Sequence, residues 1–445
     1  MPKGARKLVF SFEESHLTHF GGMWLIQQFC QRLRLRYRLQ RYLHLKQHPG
    51  DYPPHELILA LLFAIIMGLR RINKTEILQY NGAFLEMLGL ERFPDQTALR
   101  RFLKRLSPED IRQLARLHDS LRAWLFELPE PRHSLVFDVD SVVLVVYGHA
   151  GGAAVGYNPK KRGRRSYHPV FCFESQWHEF WHGSLRPGNA GAATGIIGFL
   201  QRCLAKVPGT IARQRIRFRM DSGFFGKRVV EFLDRHGYGY VIVAKESRTI
   251  KARARQLSFT TLQNGWEDGE FTYRPGKWKR PHRFIVVRRP IPEDPEEARH
   301  LTLFRDRRYF YHVFVTNLEL TTWRVYLFYN GRANIEKNNR EFLYDYPLGK
   351  IPTQSWTANV AFFQLLLLAA DLVHWFRRLC LPASYTTATL DTIRTDFLLL
   401  PAKLVRAHKQ NILKLPHDYH HQREFLAAER AIRHLKIPRE FRFCK

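Results

Sequence analysis

The sequence predicts an α/β protein, in which a mixed sheet covered by helices is interrupted by a β-rich insertion and carried between helical N-terminal and C-terminal regions. Three observations predict it. Short apolar runs rich in β-branched and aromatic residues begin just after "LPEPRH" and alternate with helical stretches as far as residue 246, the pattern of a sheet with helices on its faces. Arginine-rich, β-prone segments then occupy residues 247 to 322. On either side, apolar residues recur at three- and four-residue spacing, the period of helices that bury one face.

The N-terminal pattern is helical from Gly21 to about Leu128, with breaks at His48 to Pro54 and near Pro94. Within it, "FPDQTALRRFLKRL" places Asp95 as an N-cap, Leu99, Phe102, Leu103 and Leu106 on one face, and Thr97, Arg100, Arg101 and Lys104 on the other. That outer stripe suits a DNA groove, and equally suits solvent, since charged outer faces are normal on helices. Arg32, Arg34, Arg36, Arg38 and Arg41 add a second basic block.

The core follows in the order strand, strand, strand, helix, strand, helix, strand. Its segments are "SLVFDVDSVVLVVYG", "YHPVFCFES" and "FWHGSLRPGN", a helix over about Ala190 to Lys206, "RIRFRMD", a helix over about Gly226 to His236, and "YGYVIVA". Segments such as "FTYRPGKWKRPHRFIVVRR" and "RYFYHVFVTN" suggest a separate inserted β subdomain. Helical periodicity returns at Gly331 and dominates to the end.

Composition narrows the partner. The chain of 445 residues carries 71 Lys plus Arg against 40 Asp plus Glu, a formal charge of +31, with 45% hydrophobic residues. That is enough apolar material for folded cores, and the excess of positive charge calls for a polyanion, nucleic acid first. No signal peptide, lipidation motif or uninterrupted membrane span is evident, so a membrane partner is not expected. The apolar runs Leu57 to Leu69 and Ala358 to Phe376 read as buried helices, the first too short to span and the second broken by Asn359, Gln364, Asp371 and His374. Five scattered cysteines form no C-x-x-C pair, which suits the cytoplasm and indicates neither zinc nor a disulfide framework. His417, His420 and His421 lack partner cysteines and read as a solvated surface.

Against this basic background three acidic positions stand out. Asp138 and Asp140 lie two apart on one strand and so share a face, opposite Phe137 and Val139. Asp221 ends the strand "RIRFRMD", and strand ends in such sheets are where ligands gather. Glu336 shares a helical face with Tyr329 and Arg332 in "YNGRANIEKNNREF". Converging carboxylates repel unless a cation sits between them, and oxygen ligands favour Mg²⁺, with Mn²⁺ as substitute. Two such ions can activate a water or a 3′-hydroxyl on one side of a phosphorus and stabilise the leaving oxygen on the other.

"DVDSVVLVVYG", "GYNPKKRGRRSYHPV", "LRPGN", "RMDSGFF" and "YNGRANIE", in this order, resemble the DDE transposases of bacterial insertion sequences, of the group 1 type. The likeness runs from about Phe137 to Phe376 and extends more faintly into the N-terminal helices. It implies an RNase H-like core of five strands and Mg²⁺-dependent cut-and-paste chemistry on inverted-repeat ends of double-stranded DNA. It also implies a homodimer on paired ends and action on the bacterial nucleoid. The organisation it suggests is 1–130 for end binding and dimerisation, 131–246 for the first part of the catalytic core, 247–326 for the insertion, 327–378 for the second part with Glu336, and 379–445 as a helical C-terminal region.

Carried over residue by residue, the family's first aspartate precedes a hydroxyl residue, which matches Asp140 before Ser141 better than Asp138. The second matches Asp221, and the third carboxylate matches Glu336 in the Tyr-x2-Arg-x3-Glu pattern. Tyr329 and Arg332 would contact DNA next to the cut phosphate. Related signatures place a lysine seven positions after the glutamate, but Leu343 stands there, with Lys337 or Arg340 as substitutes. The insertion would carry an aromatic residue for a flipped base, with Trp278 and Trp323 as candidates against a buried structural role. The loop residues Lys160, Lys161, Arg162, Arg164 and Arg165 suit backbone phosphates. Arg186 and Asn189 suit either a phosphate or a turn and cap. Two rival readings keep the same sequence features: a non-catalytic DNA-binding derivative, and a structure-selective nuclease.

Overall fold

The strand Leu135–Ser141 (β1) lies third from one edge of a nine-stranded mixed sheet in the computed structural model. The structure describes residues 10–45, 52–128, 132–159, 161–262, 265–291, 308–407 and 410–436, and of these the side chains of 333–336 are not described. Following β1 in the sheet are β2 (Val170–Glu174), β3 (Glu179–Ser184), β4 (Ile216–Met220), β5 (Gly239–Val243), β6 (Thr260–Thr261), β7 (Glu267–Tyr273), β8 (His282–Pro290) and β9 (Tyr309–Thr316). The spatial order is β6-β7-β8-β9-β5-β4-β1-β2-β3. β1 to β3 form an antiparallel meander, while β4 and β5 run parallel to β1.

Alternation along these strands decides which side chains meet chemistry. Phe137, Val139, Phe218, Met220, Tyr240 and Ile242 point to one face, where the helices Ile196–Leu204 and Lys227–Arg235 cover them with Phe199, Leu200, Val230 and Leu233. With a period of two, Asp138, Asp140 and Arg219 must project to the other face. The expected alternation of five strands and two helices is all present.

The insertion departs from expectation. Its strands are not a separate subdomain but continue the same sheet, because β9 pairs antiparallel with β5, Phe314 opposite Val243. Both faces of β8 and β9 are apolar: Phe284, Val286, Val313 and Val315 join the first core, while Ile285, Val287 and Phe314 pack with Val241, Val243, Val325 and Tyr326 on the other side. The helix that supplies Val325 begins at Thr322, earlier than Gly331, and is capped by the Thr321 hydroxyl.

Contacts divide the chain into two compact units, 125–343 and 1–124 with 344–445. The first ends before the boundary at 378 expected from the sequence, and the helix Trp356–Cys380 belongs to the second unit. This helix is long and apolar enough to cross a membrane, yet 78% of its most apolar window is buried inside the protein. Its Asp371 is fully buried and accepts hydrogen bonds from Arg122 Nη2 at 3.0 Å and from the His118 ring at 2.7 Å, the pairing a buried carboxylate requires. Pro54–Ile66 is likewise a buried helix.

Asp95 caps Gln96–Arg105 through the amides of Thr97 and Ala98, with Leu99, Phe102 and Leu103 buried and Arg100, Arg101 and Lys104 exposed. The C-terminal region is less helical than expected. Ala402–Ala407 and Gln410–Lys414 form a hairpin that pairs with Leu17–Thr18. Only the alternate residues Ala402 and Leu404 are buried there, too short an apolar pattern to announce a strand.

Candidate active site

Parallel pairing sets Asp138 opposite Arg219 and Val139 opposite Met220, so the next step along both strands brings Asp140 beside Asp221 at their C-terminal ends. Arg332 stands with them. Its Nη2 lies 2.9 Å from Asp140 Oδ1, and both side chains are largely buried, at 9% and 14% exposure. The other Asp140 oxygen accepts from Asn339 Nδ2 at 2.7 Å. Asp221 Oδ1 accepts the local amide of Gly223, at 2.9 Å.

The electrostatics follow from burial and charge count. Burial raises Asp221 from its ordinary value, Arg332 opposes the rise, and Asp140 adds to it. Burial also works against charge on Arg332, but Asp140, Tyr329 and Asp221 outweigh it and hold the guanidinium more firmly protonated than usual. Burial pushes the Tyr329 hydroxyl up to about 12, and its ring packs on Phe314 with centroids 4.6 Å apart. One guanidinium therefore serves two adjacent carboxylates, and Arg332 Nε is buried without a hydrogen bond among the described residues. Two largely buried carboxylates with a charge left uncompensated fit a hard divalent cation.

Arg219 ties the site together. It grips Asp138 with Nε to Oδ1 at 2.6 Å and Nη2 to Oδ2 at 2.7 Å, and donates to Ser175 Oγ at 2.5 Å and to the Phe328 carbonyl at 2.7 Å. β1, β4 and the helix Thr322–Asn330 are thus joined within two residues of Asp140, Asp221 and Tyr329. Asp138, at 0% exposure, is consumed by this pair, which leaves Asp140 as the accessible aspartate of β1. Gly331 makes room for the arrangement, since a Cβ there would stand 2.3 Å from Arg219 Nη1.

Sequence reasoning missed Arg219, Asn339 and His168. A signal for Arg219 was present: it precedes Asp221 by two positions as Asp138 precedes Asp140, so parallel strands must set the outer pair face to face. His168 donates from Nδ1 to the Ala190 carbonyl at 2.6 Å, which leaves Nε2 to accept from Ser141 Oγ at 3.1 Å. It fastens the basic loop to the end of β1.

The other expected residues fall as follows. Glu336 lies in the helix Ala333–Tyr344, with its side chain outside the described residues, and Lys160 is also outside them. Lys161, Arg162, Arg164, Arg165 and Asn189 are exposed, as are Lys337 and Arg340. Arg186 turns inward, donating from Nε to the His168 carbonyl at 2.9 Å and from Nη1 to Ala192 and Thr194 carbonyls at 3.0 Å. These donors hold the turn, while its Nη2 is buried without a hydrogen bond among the described residues. Trp278 packs on Phe225 at 5.3 Å, and Trp323 stacks on Tyr326 at 5.1 Å beside Trp266. Among the described residues no group of three His, Cys, Asp or Glu side chains is placed to hold a metal.

Comparison with curated proteins finds no match. Among solved structures, a cryo-EM synaptic complex of piggyBac transposase with hairpin DNA is similar at a TM-score of 0.43 and 9% identity, covering 80% of this chain and 75% of that one. The family Transposase DDE domain group 1 matches residues 1–437, and the chain belongs to that family.

Proposed function

We propose that this protein is a cut-and-paste DNA transposase of a bacterial insertion sequence, cleaving double-stranded DNA at inverted-repeat ends and joining the freed 3′-hydroxyl to target DNA. The observation that carries the reading is the pair Asp140 and Asp221 at the ends of adjacent parallel strands, with Arg332 beside them. The order β3-β2-β1-β4-β5, with the first three antiparallel and the last two parallel to β1, supports an RNase H-like core within the larger sheet.

Asp140 and Asp221, with Glu336 as third carboxylate, would hold two Mg²⁺ ions, which Mn²⁺ could replace. Such ions supply charge neutralisation and an activated oxygen nucleophile when bound. The chain's own part is to hold Asp140 at a fixed angle through Asn339 and to keep Arg332 protonated for the phosphate. Tyr329, Lys160, Lys161, Arg162, Arg164, Arg165 and Asn189, and on the other unit Arg100, Arg101 and Lys104, are proposed to contact DNA. A homodimer acting on paired ends on the nucleoid completes the proposal.

Incubation of the full chain with its inverted-repeat ends in Mg²⁺ should yield cleaved ends and strand-transfer products. Asp140→Asn, Asp221→Asn and Glu336→Gln should each abolish both while leaving end binding intact. Normal cutting by Asp221→Asn would overturn the assignment, and cutting with no strand transfer would leave a nuclease.

A further inference from the structure

Next to the end of β1 the strands Leu144–Val145, Ala154–Val155 and Arg165–Tyr167 form a small separate sheet. Two tyrosines on its loops face solvent, Tyr147 at 71% and Tyr157 at 73% exposure. They are linked. Asn158, which follows Tyr157, accepts the Lys161 amide at 2.9 Å, and Lys161 Nζ donates to the Tyr147 hydroxyl at 2.6 Å while lying 5.3 Å from its ring centroid. Arg162, Arg164 and Arg165 are exposed on the same loop.

The platform is rigidly mounted. A Cβ on Gly156 would lie 2.0 Å from the Gly188 carbonyl oxygen, and one on Gly188 would lie 2.3 Å from that of Ala154, so the two backbones interlock. His168 adds its hydrogen bond to Ser141, next to Asp140. Tyrosine is a residue of intermediate burial, so exposed rings count here only for what surrounds them. Here two are held outward among at least four cations, which is the chemistry of a surface that stacks bases and tracks phosphates. A duplex hides its base faces everywhere but at its last pair, so along the strand the rings can engage only nucleotides that are unpaired.

We infer that Tyr147 and Tyr157 stack on unpaired bases beside the cut site, so that this surface selects melted or single-stranded DNA next to the cleavage point. The inference rests on the proposed DNA-cutting role of Asp140 and Asp221. Its test needs no cutting: binding of the full chain is measured in EDTA, on blunt duplex ends and on forked ends carrying 2-aminopurine in the unpaired arm.

The forked end should bind about tenfold or more tighter than the blunt end and quench the probe, as stacking on even one ring would give. Tyr147→Ala with Tyr157→Ala should remove both the preference and the quenching while leaving blunt-end binding within about twofold. The corresponding Phe variants should keep them. An alanine pair that retains the preference, or a wild-type chain that shows none, would overturn the inference. Loss of cleavage in Mg²⁺ with the fork preference intact would instead count against the catalytic reading alone.

Discussion

Arg219 and Asp138 form a two-pronged buried ion pair, at 2.6 Å and 2.7 Å, each partner two residues upstream of a proposed metal-binding aspartate. Removing one partner strands the other's charge in a dry interior, which costs about 3–5 kcal/mol. Arg219→Met should therefore lower stability by about that amount in urea titration. Adding Asp138→Leu to it should recover most of the loss, because both charges then go. A single variant as stable as wild type would show that water reaches the pair.

Gly331→Ala tests placement instead of stability. The backbone there, with φ −56°, tolerates any residue, but the new Cβ would meet Arg219 Nη1 at 2.3 Å. The guanidinium must shift, and with it the segment bearing Tyr329 and Arg332. Displacements of this size cost on the order of a hundredfold in rate. Single-turnover cleavage should fall accordingly while end binding in EDTA is retained; unchanged cleavage would free Gly331 from this role.

His312 should make the fold acid-sensitive. Burial, reinforced by the neighbouring positive Arg289, pushes its imidazole down to about 4. The folded chain thus keeps neutral a ring that the unfolded chain protonates below about 6.5. Protons bind preferentially to the unfolded state, so stability present above pH 6.5 is lost as pH falls from there toward 4. Thermal melts at pH 7.5 and 4.5 should show a smaller drop for His312→Phe than for wild type; equal drops would place the sensitivity elsewhere.

Affinity for DNA should fall steeply with salt. If about six of the exposed cations, among them Arg162, Arg164, Arg165, Arg100, Arg101 and Lys104, meet phosphates, binding weakens by roughly 10³ between 50 and 200 mM salt. A shallow slope in a fluorescence titration would mean that these side chains merely face solvent.

What the sequence disclosed and what it hid have a common physical basis. Period-two alternation around Phe137 and Val139, and the cap at Asp95, are local signals, and both appear in the structure as expected. The partner of Asp138 is set by pairing between strands far apart in the chain, so the spacing of Arg219 before Asp221 identifies it only once the two strands are known to be parallel neighbours. For the same reason "FIVV" and "YHVFV" suggested strands without revealing that the second would pair onto β5 and the first onto the second. The hairpin strands Ala402–Ala407 and Gln410–Lys414 were hidden because only Ala402 and Leu404 are buried along them, and the inward turn of Arg186 leaves no mark in sequence.

The continuity of the insertion with β5 limits how this protein can be re-engineered. Excising 247–316 would not unplug a module; it would bare the whole hydrogen-bonding rim of β5 and the greasy sides of Val241 and Val243. Such a truncated chain would be expected to stick to its own copies, edge to edge, before its chemistry could be assayed. Shortened variants are better sought at the two-residue outer strand β6, because β7 covers β8 along Glu267–Tyr273 and has to stay.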